Sequence, residues 1–206
     1  MGGEVAPAGE LTSQARTGEN ARMAKAGKPA PVKLICGMIA GRGELFDEAL
    51  RSLTEAFGPA DIVSDVMDFD FTHYYDRQMG NPLYRRFAAF ERLIEPDALT
   101  AAKLAANAIE ERFSIQAAGS VPRPVNLDPG YVDQSKLVLA SMKDFSHRVY
   151  LSQGVYAEVT LMYHKGDWTP LGWTFPDYAS GRYGPFLTAA RQALRRQLGK
   201  DKEAVR

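Results

Sequence analysis

The sequence predicts an α+β fold in which a mixed or antiparallel sheet is covered by about three helices. Three observations indicate this fold: apolar or alternating runs typical of strands, three segments with apolar residues at helical spacing, and the order strand, helix, strands, helix, strands, helix. The chain has 206 residues, 45% of them hydrophobic and 24% charged, which is a composition typical of globular proteins.

The first 31 residues differ in composition from the rest of the chain. Fifteen of them are Ala, Gly or Pro, and only four are large apolar residues. Such a segment cannot bury enough apolar surface to offset the entropy that is lost on ordering. We therefore expect a disordered extension over residues 1–31, a single α+β domain over 32–199 and a basic C-terminal tail over 200–206.

Apolar spacing predicts the elements of the first half. Residues 32–39 are mostly apolar, as in a buried strand, and Gly41-Arg42-Gly43 predicts a turn. Apolar residues at helical spacing predict a helix from Glu44 that ends at Gly58-Pro59. Alternation of apolar and polar side chains predicts a half-exposed strand over 62–72.

Residues 83–94 predict a further strand, because the helix after them has its own start at Pro96-Asp97. One stripe of that helix is apolar, and a polar stripe of Lys103, Asn107 and Glu110 runs beside it. The polar stripe suits either a surface ion pair or the wall of a pocket. The apolar stripe consists of Leu99, Ala102, Ala106, Ile109 and Phe113.

The second half is predicted to contain a rigid turn, a hairpin and a terminal helix. Asp128-Pro129-Gly130 predicts a β-turn, since Pro presets φ and Gly accepts a positive φ. Residues 137–141 form a short apolar run. Residues 148–151 and 155–163 predict paired strands joined at Ser152-Gln153-Gly154. Apolar residues between Phe186 and Leu198 predict an amphipathic helix.

Charge and cysteine content narrow the function classes. The 25 basic and 25 acidic residues cancel, which makes nucleic acid an improbable main partner of the fold. The net charge is zero because an acidic segment over 44–97 offsets a basic segment over 181–206 and the other charges of the chain. A homodimer in which these two segments pair electrostatically is therefore an open alternative. The single Cys36 rules out an internal disulfide, and no apolar run is long enough to span a membrane. We expect a cytoplasmic protein.

The first group of candidate site residues surrounds the predicted turn. A rigid turn would present Arg123, Asn126 and Tyr131 at fixed positions for ligand binding, with Asp128 as a catalytic acid or base. The alternative is purely architectural, with Asp128 accepting hydrogen bonds from the amides that follow it. Both roles stay open.

A second group lies in the predicted hairpin. Lys143, His147 and Arg148 fall within six residues, and cationic groups at this density attract phosphate or carboxylate. Histidine is the side chain type best suited to exchange a proton near neutral pH, so His147 is a candidate acid or base. Glu158 lies in an otherwise apolar strand, where a carboxylate has to be paired or neutral. It is either a catalytic carboxylate or the partner of Arg148 or Lys143 in a structural ion pair.

A third group lies in the Pro-bent segment 173–178. Trp173, Asp177 and Tyr178 place two large rings and a carboxylate together, as in the wall of a ligand pocket. The same residues would equally suit the edge of a small core.

Other motifs favour no standard chemistry. The glycines at 37, 41 and 43 match neither the dinucleotide fingerprint nor a P-loop, so they predict a plain turn. Asp68, Asp70, His73 and Asp76 form an acidic cluster, but strand alternation puts Asp68 and Asp70 on one face and His73 on the opposite one, so we expect no metal site there.

An ordered string of motifs runs along the chain, consisting of Thr72–Tyr75, Met79-Gly80, Arg123–Tyr131, His147–Leu151, Glu158–Leu161 and Trp173–Tyr178. These segments resemble a bacterial family of unknown function, the domain-of-unknown-function family 4416. The resemblance extends from about Val32 to Arg191. It implies no activity, because none is established for the family; some members bear a GTP-binding label, but this sequence has neither a P-loop nor Asn-Lys-x-Asp.

Two functions remain. The first is a pocket in the 121–180 region that binds a small anionic, phosphate-bearing ligand, with nucleotides among the candidates and with hydrolysis or group transfer left open. The second is a non-enzymatic module that contacts protein or RNA and whose polar residues form internal ion pairs. The sequence identifies no cofactor.

Overall fold

The structure is a computed structural model that describes residues 26–72, 74–117 and 121–204, with side chains described as far as Gly199. Its strands and helices follow one another along the chain as β1 (Val32–Ala40), α1 (Gly43–Phe57), β2 (Ala60–Val63), β3 (Met67–Asp68), α2 (Asp76–Met79), β4 (Tyr84–Ile94), a 3₁₀ turn (Pro96–Ala98), α3 (Leu99–Gln116), β5 (Val125–Val132), β6 (Lys136–Ser141), β7 (Val149–Ser152), β8 (Val155–His164), β9 (Asp167–Pro170), α4 (Pro176–Ala179) and α5 (Gly184–Ala204).

All nine strands belong to one antiparallel sheet with the order β2-β4-β1-β5-β6-β8-β7. The short strands β3 and β9 pair with β4 and β8 respectively. β1 lies near the middle of the sheet, and all nine of its residues are buried. A strand that is buried along its whole length requires cover on both faces of the sheet.

Helices supply that cover on each side. Leu34, Cys36 and Met38 of β1 pack with α1 and α3 on one face. Ile35 points to the opposite face and packs with the apolar residues of α5. The period of two along β1 therefore divides the core into two layers. The predicted α+β class, with an antiparallel sheet and three longer helices, is confirmed.

The helix ends and hairpin turns agree with the local sequence signals. α1 ends at Gly58, whose φ of 92° is accessible to glycine at little cost. The apolar stripe predicted for α3 is buried at every position. In the β7–β8 hairpin, Gln153 and Gly154 have φ values of 52° and 77°, as a two-residue primed turn requires.

Three predictions for connecting segments need correction or qualification. The continuous strand predicted over 62–72 is wrong: β2 and β3 are short, and Phe69 instead packs into a small cluster with Ile39. Segment 173–178 contains α4, which begins at Pro176. Residues 1–25 of the predicted extension lie outside the described residues, whereas 26–31 belong to no helix or strand, with 26–30 exposed and Pro31 half-buried.

The predicted β-turn at Asp128-Pro129-Gly130 is also wrong, because these residues lie inside β5. All eight residues of β5 pair with β1, and this ladder outweighs the local preference for a turn. β5 pairs with β6 only at residues 130–132. Pro129 therefore lies where one side of β5 has no neighbouring strand, which is where a sheet tolerates a residue without an N–H group.

Gly130 lies where β5 and β6 come together. A Cβ atom at this position would lie 2.4 Å from the carbonyl oxygen of Val138 and 2.6 Å from Leu139 Cδ2. On the N-terminal side of Gly130 the pairing of the two strands ends, and polar side chains line the gap that this leaves in the sheet.

We predict that Gly130→Ala destabilises the protein by roughly 1–3 kcal/mol, because the added methyl group forces β5 and β6 apart. Denaturant unfolding measures the change. Gly172→Ala is the matched control, since a Cβ there would meet nothing within 4 Å. Equal stability of the two variants would contradict the packing argument.

Candidate functional site

A cavity of about 550 Å³ occupies the gap between β5 and β6. Lys103 and Asn107 of α3 line it from one side of the sheet, and Asp177 and Tyr178 of α4 line it from the other. Because both faces of the sheet contribute to one cavity, the cavity extends through the sheet. Its volume is in the range of small-molecule sites.

Arg85 of β4 is the central buried cation of this site. Its Nη2 donates to Asp177 Oδ2 at 2.9 Å, and its Nη1 donates to Asp128 Oδ2 at 3.3 Å. The guanidinium also lies 5.1–5.8 Å from the ring centroids of four aromatic residues. Gly37 of β1 makes room for it, since a Cβ there would lie 2.7 Å from Arg85 Nη1.

The two carboxylates beside Arg85 are held by further hydrogen bonds. Asn126 Nδ2 donates to Asp128 Oδ2 at 2.7 Å, and the Tyr183 hydroxyl lies 3.3 Å from Asp177 Oδ2. In the described part of the chain, no hydrogen bond reaches Oδ1 of either aspartate. Each carboxylate therefore retains one acceptor oxygen. Burial raises the pKa of the neighbouring Tyr178 well above its ordinary value, so this phenol stays neutral.

Glu158 of β8 forms a second buried cluster at the cavity wall. Its Oε2 accepts hydrogen bonds from Arg148 Nε at 2.8 Å and lies 3.0 Å from His147 Nε2. The Thr160 hydroxyl lies 3.3 Å from Oε1. Arg148 and His147 thus use much of the hydrogen-bonding capacity of Glu158. The His147 ring stacks on Trp173 at 5.5 Å, behind Glu158.

Lys103 is the buried lysine of α3 that lines the cavity. Its Nζ donates to the carbonyl oxygen of Leu127 at 2.9 Å, and no carboxylate of the described residues forms an ion pair with it. Glu110, two turns further along α3, instead accepts two hydrogen bonds from Arg123. Burial raises the pKa of Glu110, although the charges of Lys103 and Arg123 oppose the shift. The polar stripe therefore contributes Lys103 and Asn107 to the cavity wall, and its ion pair with Arg123 is largely buried instead of lying at the surface.

Tyr74 and Lys143 join two loops at the cavity rim. Lys143 Nζ donates to the Tyr74 hydroxyl at 2.7 Å and lies 5.0 Å from the centroid of its ring. This hydrogen bond and the charge of Lys143 hold the pKa of Tyr74 below its ordinary value.

The cavity brings together most of the residues that the sequence singled out, and three lie elsewhere. Tyr131 points to the opposite face of β5 from Asn126 and Asp128, because side chains alternate along a strand. His147 and Trp173 lie behind Glu158. The predicted residues that line the cavity are Arg123, Asn126, Asp128, Lys143, Arg148, Glu158, Asp177 and Tyr178.

Sequence reasoning missed Arg85 and gave no site role to Tyr74. Arg85 is one of two adjacent arginines in a strand. What distinguishes it is its pairing with Asp128 and Asp177, which lie 43 and 92 positions further along the chain. Tyr74 belongs to one of the segments that carry the family resemblance, and this was the signal in the sequence that could have identified it as a site residue. The helical spacing of Lys103 and Asn107 does predict a polar stripe that suits the wall of a pocket.

The remaining motifs form no comparable site. The turn at Gly41 and Gly43 borders a second cavity of about 460 Å³, where Glu44 and Glu48 would repel a phosphate. Within the described residues, no group of three or more His, Cys, Asp or Glu side chains is arranged to hold a metal ion. His73 lies outside these residues. None of the described helices combines the length and apolar composition needed to cross a membrane.

We predict that Arg85→Met costs about 3–5 kcal/mol of stability, because it leaves the buried Asp177 and the half-buried Asp128 without their cation. Arg86→Met is the matched control. Arg86 pairs with Asp47, whose side chain is 65% exposed, so this loss is expected to cost at most about 1 kcal/mol. Denaturant unfolding compares the variants. Losses of similar size would show that the Arg85 cluster is not a stability determinant.

We also predict that Lys143→Met raises the pKa of Tyr74 to the ordinary range for tyrosine, because the mutation removes both the hydrogen bond and the charge. Tyrosinate absorbance during a pH titration measures this, with Tyr74→Phe identifying the contribution of Tyr74. An early-titrating tyrosine that persists in Lys143→Met would refute the contact.

Comparison with known proteins identifies one family. The family model of DUF4416, described as a domain of unknown function, matches residues 30–194. No curated protein matches the chain. No solved structure matches it. The match covers most of the sequence and confirms the predicted resemblance: the chain belongs to the DUF4416 family.

Proposed function

We propose that the protein binds a small anionic, phosphate-bearing ligand in the cavity between β5 and β6. The observation that carries the proposal is Lys103, a buried cation that lines the cavity and has no carboxylate partner among the described residues. Two of its three N–H donors have no protein acceptor in the same part of the chain. An anionic group in the cavity would satisfy these donors and compensate the charge.

The charges around the cavity support the same ligand class. Five cationic and three anionic side chains line it, which leaves an excess of two positive charges. Arg85 and Arg148 are neutralised by buried carboxylates, and Arg123 is paired with Glu110. Lys103 in the interior and Lys143 at the rim therefore supply the positive charge that is available to a ligand.

Asp128 is the better of the proposed carboxylates for acid or base chemistry. One of its oxygens is free of hydrogen bonds from the described residues, whereas Glu158 contacts three side chains. His147 lies behind Glu158, away from the cavity. If the ligand is transformed by hydrolysis or group transfer, we assign the proton transfer to Asp128.

A thermal-shift series tests the proposal with inorganic phosphate, sugar phosphates and nucleotides as probes. A specific ligand at a hundred times its Kd is expected to stabilise the protein by about 2.7 kcal/mol. Lys103→Met is expected to remove this stabilisation. Arg112→Met, which removes an exposed cation from the same helix, is expected to preserve it.

Two results would contradict the proposal. One is the absence of a thermal shift with any of the phosphate compounds at millimolar concentration. The other is an equal shift in wild type, Lys103→Met and Arg112→Met, which would place the binding outside the cavity.

The second candidate function, a module that contacts protein or RNA, is favoured by the closed ion pairs Glu110–Arg123 and Arg148–Glu158. The exposed Arg195 and Arg196 of α5 would form its basic surface. Binding of a labelled RNA oligonucleotide that is lost in the Arg195→Glu/Arg196→Glu double variant would support this function. The cytoplasmic location and the homodimer stay predictions.

A further inference from the structure

We infer that the ligand is a phosphorylated polyol or sugar, whose phosphate lies at Lys103 and whose hydroxyl groups donate to Asp128 and Asp177. The inference rests on the proposed function and adds the chemistry of the second half of the ligand. The shared feature is a phosphate with hydroxyls on neighbouring carbons, which a free sugar phosphate and the ribose of a mononucleotide both provide.

The positions of the free carboxylate oxygens of Asp128 and Asp177 indicate that the ligand has hydrogen-bond donors. Arg85 holds Asp128 and Asp177 through two nitrogens of one guanidinium group, so the two carboxylates lie on either side of the same cation. Oδ1 of each has no hydrogen bond from the described residues, although both residues line the cavity. An ionised carboxylate only accepts hydrogen bonds, so the ligand has to supply donors at this place.

The net positive charge of the cavity lining favours hydroxyl groups over ammonium groups as the ligand donors that face the two aspartates. Arg85 compensates one of the two aspartate charges, and the cavity lining as a whole, with Lys103 and Lys143 included, still has an excess of two positive charges. A second cation at this point would therefore add to the excess. Neutral hydroxyl groups satisfy the carboxylate oxygens without adding charge, and several of them occur together in a polyol.

The position of Lys103 relative to the aspartates supports a small ligand that reaches both groups. Lys103 Nζ is hydrogen-bonded to the carbonyl oxygen of Leu127, the residue immediately before Asp128. The donor that would bind the phosphate and the acceptor that would bind the hydroxyls thus border one short stretch of β5. Rings of Tyr75, Phe175 and Tyr178 line the same cavity and offer apolar surface to the carbon skeleton.

Isothermal titration calorimetry with a graded series of phosphates tests the inference. The probes are inorganic phosphate, ethyl phosphate, 2-deoxyribose 5-phosphate, ribose 5-phosphate, AMP and free ribose. We expect ribose 5-phosphate to bind at least about tenfold more tightly than ethyl phosphate, since tenfold corresponds to about 1.4 kcal/mol, the size of one or two net hydrogen bonds. The deoxy sugar is expected to lie between them.

Single-residue variants test which side chain binds the phosphate and which binds the hydroxyl groups of the ligand. Lys103→Met is expected to weaken ribose 5-phosphate and ethyl phosphate by a similar factor. Asp128→Asn is expected to reduce the preference for ribose 5-phosphate over ethyl phosphate, and Arg112→Met to leave all affinities unchanged. AMP separates the two ligand sources: tighter binding than ribose 5-phosphate indicates a mononucleotide, and weaker binding indicates a free sugar phosphate.

The outcomes distinguish the inference from the proposed function. Equal affinity for ethyl phosphate and ribose 5-phosphate, with both sensitive to Lys103→Met, would overturn the inference and leave the proposed function intact. No binding of any phosphate would overturn both. Equal affinity for ribose and ribose 5-phosphate would overturn the role of the phosphate. If Asp128→Asn fails to fold, the ligand series in the wild-type protein still decides.

Discussion

The ion pairs of Arg85 are the interaction on which the candidate site depends. A guanidinium whose side chain is 4% exposed has to be compensated inside the protein, and Asp128 and Asp177 supply the opposite charge. These contacts connect β4, β5 and the short helix α4. The arrangement requires a glycine at position 37, because any larger residue would occupy the space of the guanidinium. A constraint on packing thus places two carboxylates at the cavity wall.

The partial separation of β5 and β6 is what makes a cavity possible in an otherwise continuous sheet. Gly130 allows the strands to approach closely at one point, and on its N-terminal side the hydrogen bonds between them end. The gap admits Lys103 from one face and Asp177 from the other. Polar groups from the two faces of the sheet can therefore act on one bound molecule, although a complete sheet would keep them apart.

The zero net charge of the chain conceals an uneven distribution at the site. Most cations around the cavity are paired with buried carboxylates, so counting lysines and arginines overstates the charge that a ligand encounters. Lys103 differs from the paired arginines because its hydrogen-bond acceptor in the described residues is a neutral backbone carbonyl. A single buried ammonium group in a cavity also lined by hydrogen-bonded carboxylates is the reason for proposing a ligand with both an anionic group and hydroxyl donors.

The sequence by itself determined the α+β class, the three longer helices and the β7–β8 hairpin, because apolar periodicity and glycine-containing turns are local signals. Its motifs also carried the resemblance to the family. It also identified eight residues that line the cavity. Tertiary structure decided the rest: the β1 ladder converts the predicted turn at Asp128-Pro129-Gly130 into a strand and points Tyr131 away from the site. The pairing of Arg85 with Asp177 joins residues 92 positions apart. Such contacts depend on how strands and helices pack in space, and no local pattern of residues specifies them.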